Sequence, residues 1–185
     1  MGRITNFTQA QTEKIQIDEG IVYVDFGEET EMLLGPTRGG AEFNTDVKVR
    51  DIEFDGRKGK TKGLQAIEEL NAVLKVVSLC CSQESLELAF VDGKMDTATK
   101  KISSGDTGMI PVTKYRKNIT VFGGTLDGKF KKITIYNPLH EGSFSFKSKP
   151  KAENEHSLEF NAHWDPFAEK QLLYEVDDVE NIPTV

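Results

Sequence analysis

Val47-Lys48-Val49-Arg50-Asp51-Ile52-Glu53-Phe54, then Asp55-Gly56-Arg57-Lys58-Gly59-Lys60-Thr61-Lys62-Gly63, then a long apolar segment reaching Leu79, is the stretch whose reading decides the fold. Val47, Val49, Ile52 and Phe54 are spaced as a strand with one buried face and a slip between Val49 and Ile52, the mark of a bulge. Asp55-Gly56 supplies the positive φ that ends such a strand. After the loop two periods compete. Leu64, Ile67, Leu70, Leu74 and Val77 recur at helical spacing, with Glu68, Glu69 and Lys75 on the other side. Leu70, Ala72, Leu74 and Val76 alternate as a strand does.

The loop over 55–63 carries Arg57, Lys58, Lys60 and Lys62 in a chain whose net charge is −7. Gly59-Lys60-Thr61 looks like the end of a phosphate-binding loop, but that motif needs a glycine five positions before Gly59, where Phe54 stands. A solvated hairpin tip and a loop that meets another protein surface are the two remaining readings.

The run from Arg50 through Gly56-Arg57-Lys58-Gly59-Lys60-Thr61-Lys62-Gly63 to Leu64, followed by Glu68-Glu69-Leu70-Asn71-Ala72-Val73-Leu74-Lys75-Val76, resembles the tail tube (major tail) proteins of long-tailed bacteriophages and of prophages of Gram-positive bacteria. The likeness is densest over 39–90, roughly the first half of the chain. It implies a strand over 66–79 that pairs back against 47–54. It also implies a mainly β fold, an antiparallel β-sandwich or barrel-like domain with one flanking α-helix and extended arms and loops. The expected function is that of a structural virion protein, made in the bacterial host cytoplasm, that polymerises as stacked hexameric rings into the conduit for DNA ejection. The implied partners are the chain itself and the tape-measure, tail terminator and distal tail proteins, with DNA passing through the lumen without specific binding. A contractile, toxin-like tube is a variant of this reading. A soluble β-sandwich binding module for carbohydrate or protein is the alternative from another class.

Bulk properties agree with a single domain over 1–185: the length suffices for a sizeable core, and 37% hydrophobic against 29% charged residues leaves much polar surface. Residues 1–10 lack the apolar run of a secretory leader, and no run of 18 apolar residues is present, so no membrane insertion is expected. With 30 acidic against 23 basic residues the chain lacks the footprint of a nucleic-acid binder. A channel lined with carboxylates would instead repel phosphates and let a duplex slide. Cys80-Cys81 are adjacent, so they point to opposite faces of an extended chain and read as two reduced thiols, with a vicinal redox switch as the sharper reading.

In chain order, 1–12 reads as an N-terminal arm anchored by Ile4 and Phe7. Ile15, Ile17 and the run Ile21-Val22-Tyr23-Val24-Asp25-Phe26 read as a hairpin turning at Asp18-Glu19-Gly20. Gly35-Pro36 stops the strand candidate Met32-Leu33-Leu34, and Gly39-Gly40 reopens the chain for a strand from Ala41. Residues 82–90 read as a helix capped by Ser82, with Glu84 in the first turn and Gly93 ending it in a left-handed conformation. Residues 91–117 have no period and read as a long loop, mobile in the monomer and contacting a neighbour in a tube. Asn118 to Gly124 and Lys129 to Tyr136 form a second hairpin through Asp127-Gly128. Ser143-Phe144-Ser145-Phe146 and the run from His156 to Trp164 alternate as strands. Residues 166–185 read as a C-terminal arm containing a strand candidate over Leu172-Leu173-Tyr174-Glu175-Val176.

The contact residues expected between subunits or rings are Arg57, Lys58, Lys60 and Lys62 on the loop and Glu28, Glu29, Glu31, Asp177, Asp178 and Glu180 on acidic segments. Ile52, Phe54, Leu74, Phe90 and Trp164 are the expected core anchors. His156, His163 and Asp165 invite a metal, but His156 lies on the wrong strand parity. No metal, cofactor or catalytic role is expected, because no GxSxG, HExxH or Walker A spacing occurs and no cysteine has an obvious base partner in the sequence.

Overall fold

A computed structural model describes residues 9–16, 20–56, 59–146, 150–151, 153–169 and 171–182. In chain order these form a helical turn α1 (Gln9–Thr12), β1 (Ile21–Val24), β2 (Met32–Leu33), β3 (Thr37–Asp51) and β4 (Gln65–Ser78). There follow a short helix α2 (Gln83–Glu87), β5 (Lys94–Asp96), β6 (Lys101–Ser103), β7 (Asn118–Gly124), β8 (Phe130–Tyr136), β9 (Leu139–His140), β10 (His156–Asn161) and β11 (Tyr174–Val179). Residues 1–8, with Ile4 and Phe7, the hairpin residues Ile17, Asp18 and Glu19, and Arg57 and Lys58 of the basic loop lie outside the described residues.

Strand alternation builds two antiparallel sheets that share one core, a mainly β fold. One sheet runs β11-β8-β7-β1-β2 and the other β3-β4-β10-β9. Successive side chains on a strand point to opposite faces, so Val22, Val24, Ile119, Val121 and Ile135 leave the first sheet on one side. They meet Leu74, Val76, Leu158 and Phe160 from the second. The contest over 65–78 is settled by this packing: Ala72, Leu74, Val76 and Ser78 are all buried while Lys75 faces water, which only a period of two achieves. On the far face of the first sheet Phe122 is buried edge-on against Tyr23 and Phe26, with ring centroids 5.9 Å and 5.1 Å away.

Several expectations need correction. β1 pairs with β7 and β2 rather than with the segment before it. The bulge sits on the partner strand: Lys48 faces Glu69 and Val49 faces Ile67, so Glu68 is the extra residue, and a second irregularity falls at 38–40, where Gly39 and Gly40 take φ of +76° and +75°. Ser143 to Phe146 is not a strand; the chain instead adds β9, two residues that pair with β10. The 91–117 segment contains the β5–β6 hairpin and a single 3-10 turn at Val112–Lys114, and the Lys114 ammonium donates to the Gly93 carbonyl. The 166–185 segment contributes β11, paired along its length with β8.

The helix is shorter than 82–90. Ser82 does cap it, its hydroxyl accepting the Ser85 N–H at 3.1 Å, and the free backbone N–H of the first turn helps hold the Glu84 carboxyl below its usual range, together with Lys100. Gly93 follows in an ordinary backbone region and is there for space: a Cβ would stand 2.7 Å from that of Phe90 and 3.0 Å from Cγ2 of Ile102. Gly93→Ala is therefore expected to cost about 1–3 kcal/mol by overpacking. A urea titration of the variant checks it; an unchanged midpoint would show that the Phe90 turn yields freely.

Candidate functional site

β10 accompanies β4 only from Ser78 to Val73, and beyond that point β3 and β4 continue alone as a two-stranded ribbon. A bare two-stranded ribbon is marginal in water. This one presents the backbone of two free edges and the apolar side chains that the core-facing parity continues to supply. Val47 faces Leu70 and Val49 faces Ile67, on the side where Phe43 faces Leu74 in the core. No part of the first sheet reaches over them, so Val47 is 43% exposed, Val49 50% and Ile67 67%. Ile52 and Phe54 at the tip are exposed at 45% and 48%, which corrects their placement as core anchors. Leu74 is buried, and Phe90 is half-buried against Phe144 at 4.5 Å.

The tip of the ribbon is the basic loop. Lys60 and Lys62 are exposed and enter no ion pair among the described residues, whereas Arg50, further down, bonds Glu68 at 2.7 Å. The two acidic segments differ from each other. Asp178 and Glu180 lie on and just past β11 and are held by Lys131 and by Lys129, the latter at 3.4 Å. The Lys131 ammonium keeps the Asp178 carboxyl below its usual range. Asp177 faces Lys132 across the same pair of strands. Glu28 and Glu29 are exposed in the turns after β1 and enter no ion pair among the described residues; Glu31 accepts the Gly27 N–H at 2.7 Å.

The outward face of the second sheet is polar. By register it carries the carboxylates of Glu42, Asp46, Glu69 and Glu159 against the ammonium groups of Lys48 and Lys75. Lys75 and Glu159 pair at 3.1 Å.

At the base of the ribbon an open cleft of about 510 Å³ is lined by Asp46, Asn71, Glu141, Asn161, His163 and Trp164 among others. Trp164 is 48% exposed here, not a core anchor. His163 has Glu141 at 3.1 Å on Nε2 and the Asn137 carbonyl at 3.2 Å on Nδ1. His156 lies elsewhere, on β10, and no group of three metal-ligating side chains occurs among the described residues. No described helix is long and apolar enough to cross a membrane.

His140 carries a pH dependence. It is buried, its Nδ1 accepts the Glu159 N–H at 3.0 Å, and its Nε2 has no partner among the described residues. Burial pushes its pKa below 6.5, against a smaller opposing pull from Glu159. The unfolded chain takes up this proton at about pH 6.5 and the folded chain resists it, so this contribution is intact above that pH and is lost as pH falls below it. Urea midpoints are expected to drop between pH 7.5 and 5.5, and His140→Gln should remove part of that drop; an identical drop in the variant would assign it to other groups.

No protein-family model matches the chain, and no curated protein matches it. Among solved structures, the chain is similar to a chain in the virion of a native gene transfer agent particle, with a TM-score of 0.43 and 9% identity, covering 78% of this chain and 91% of that one. It is likewise similar to a chain in the tail of an empty gene transfer agent particle computed with helical refinement and C6 symmetry, with a TM-score of 0.40, 9% identity and the same coverage.

Proposed function

We propose that the chain is a structural subunit of a phage tail, polymerising as stacked hexameric rings into the tube through which DNA is ejected. The observation that carries this reading is the ribbon: two free strand edges, five exposed large apolar side chains and a cationic tip on one protruding element. Exposed edges and apolar faces of this size invite pairing with another chain. The second sheet ends in β3 on one side and in β9 on the other. Joining β3 of one copy to the far side of the next copy's sheet is a head-to-tail contact, and head-to-tail contacts close into rings. Closure removes the edges and covers Val47, Val49 and Ile67.

In such a ring the outward face with Glu42, Asp46, Glu69 and Glu159 is the candidate lumen wall, acidic enough to keep a duplex from sticking. The loop with Arg57, Lys58, Lys60 and Lys62 docks on the next ring. Glu28, Glu29 and Glu31 form its better acceptor, because Asp178 and Glu180 already have lysine partners within the chain. Tape-measure, terminator and distal tail proteins are the expected further partners, the virion is the expected location, and the role is structural rather than catalytic.

Negative-stain electron microscopy of purified protein, fresh and after concentration, tests the reading: long uniform tubes or stacked rings are expected. The second reading, a carbohydrate-binding module, is favoured by one feature, the cleft beside half-exposed Trp164. It predicts small particles only, together with saturable quenching of the chain's single tryptophan by an oligosaccharide. Small particles with that quenching would replace the tube reading.

A further inference from the structure

The Cys80-Cys81 pair acquires a chemistry from the fold that its sequence neighbours do not show. β4 ends at Ser78, and the Leu79 N–H bonds the Pro36 carbonyl at 2.9 Å, so the two cysteines leave the sheet on a fixed backbone. They diverge there. Cys80 is half-buried beside Gly35, where an added Cβ would meet its own Cβ at 3.2 Å. Cys81 is exposed, and its Sγ lies 3.1 Å from Nε2 of His156, which stands 75 positions later at the start of β10. β10 and β4 are paired with His156 opposite Ser78, and that register brings the ring to the thiol.

His156 is held firmly. Only 3% of the residue is exposed. Its ring stacks on Phe144, with centroids 5.3 Å apart and planes within 18°, and Phe146 lies at 6.3 Å. The Asn154 side-chain amide nitrogen stands 3.3 Å from the same Nε2, and Nδ1 is buried with no partner among the described residues. With the ring proton on Nδ1, the Nε2 lone pair is the acceptor that faces both Cys81 Sγ and the Asn154 amide nitrogen; the other acceptor within reach of the Cys81 S–H is the Leu79 carbonyl at 4.0 Å. At 3.1 Å from Sγ, Nε2 is placed to take the thiol proton at the moment of reaction. The nearby carboxylates of Glu153 and Glu155 are both taken up by Arg38.

We propose that Cys81 is a modification site: a nucleophilic thiol, with His156 as its base, that exchanges with small disulfides. Sγ attacks one sulfur of R–S–S–R as its proton passes to Nε2. The reagent's S–S bond breaks, a Cys81–S–S–R bond forms, and the departing thiolate recovers the proton as R–SH. The reagent is the oxidant, and the net change is protein thiol plus disulfide to mixed disulfide plus small thiol. Cys80 is the only other cysteine, and adjacent cysteines close a ring of strained geometry, so the adduct persists until an external thiol removes it. This inference stands apart from the tube reading, since it rests on one copy of the chain.

The test uses the freshly purified full chain at pH 7 with 5,5′-dithiobis(2-nitrobenzoate), following thiolate release and locating the adduct by peptide mass spectrometry. Cys81 is expected to react before Cys80, and at least about tenfold faster than the same thiol in urea-unfolded chain, each rate being referred to glutathione in the same solvent. Exposure alone cannot lift a folded thiol above its unfolded rate, so this ratio reports the base. His156→Gln is expected to bring Cys81 down to the unfolded rate while leaving Cys80 unchanged. A folded Cys81 rate at or below the unfolded one, or prior reaction of Cys80, overturns the proposal. The wild-type ratio decides the matter even if the variant fails to fold.

Discussion

Replacing Arg57, Lys58, Lys60 and Lys62 together with glutamate is expected to leave a folded, monomeric chain that forms no tubes. The fold tolerates the change because the described members of the set, Lys60 and Lys62, are exposed and hold no ion pair among the described residues. Surface charges of this kind contribute at most about 1 kcal/mol each to stability. Assembly does not tolerate it. Four reversals of two charges each take the chain from −7 to −15, and in a ring stack the same contact recurs in every subunit, so a modest loss per contact multiplies around the ring. Like-charge contact with Glu28, Glu29 and Glu31 adds active repulsion. Circular dichroism melting, size-exclusion chromatography and negative-stain imaging read the three parts separately. Normal tubes from this variant would falsify the loop's role, while a collapsed melt would mean that the loop supports the fold itself.

Two phenylalanines, one in the second sheet and one on the ribbon tip, provide the other large effect by their contrast. Phe160 is 1% exposed at the centre of the core, and Phe160→Ala is expected to cost about 3–5 kcal/mol, lost transfer energy plus an unfilled cavity. That is a large share of the roughly 5–15 kcal/mol that holds a typical domain together. Phe54, at 48% exposure on the ribbon tip, has little of this to lose in the monomer, and Phe54→Ala should shift stability by no more than about 0.5 kcal/mol. If the ribbon is buried in assembly, the order reverses for polymerisation: Phe54→Ala impairs tubes at full monomer stability. Urea midpoints and tube yield, measured on both variants, separate the roles; a Phe54 variant as unstable as the Phe160 variant would place the tip inside a core after all.

Much of the fold is legible because alternation is a local signal. The β7–β8 hairpin needs only Asn118 to Tyr136 and the φ of +80° at Gly128 to be recognised. For the pairing of β3 with β4 only the turn at Asp55-Gly56 is a local signal; periodicity leaves 65–78 open between helix and strand, and the strand is what the family resemblance implies. Other features could not be read locally. β9 is two residues long and exists only because β10 is there to pair with it. The partners of β1 in β7 are 95 to 101 positions away, so no local pattern could name them. Gly93 reads locally as a helix terminator, yet α2 stops at Glu87 and the glycine is required by the Phe90 and Ile102 side chains against it.

The candidate site divides along the same line. The cationic loop was visible at once, since four basic residues among glycines stand out in an acidic chain. The exposure of Val47, Val49, Ile52, Phe54 and Ile67 was not, because alternation states which residues share a face and never whether anything covers that face. Likewise Asp178 and Glu180 look free until the register of β11 on β8 sets lysines against them. The sequence by itself determined periodicity, turns and charge, which are properties of neighbours along the chain. Only the tertiary structure decided that β10 ends at Asn161, opposite Val73, and that His156 reaches Cys81. Both depend on where distant strands come into register, and that is set by the fit of the whole core.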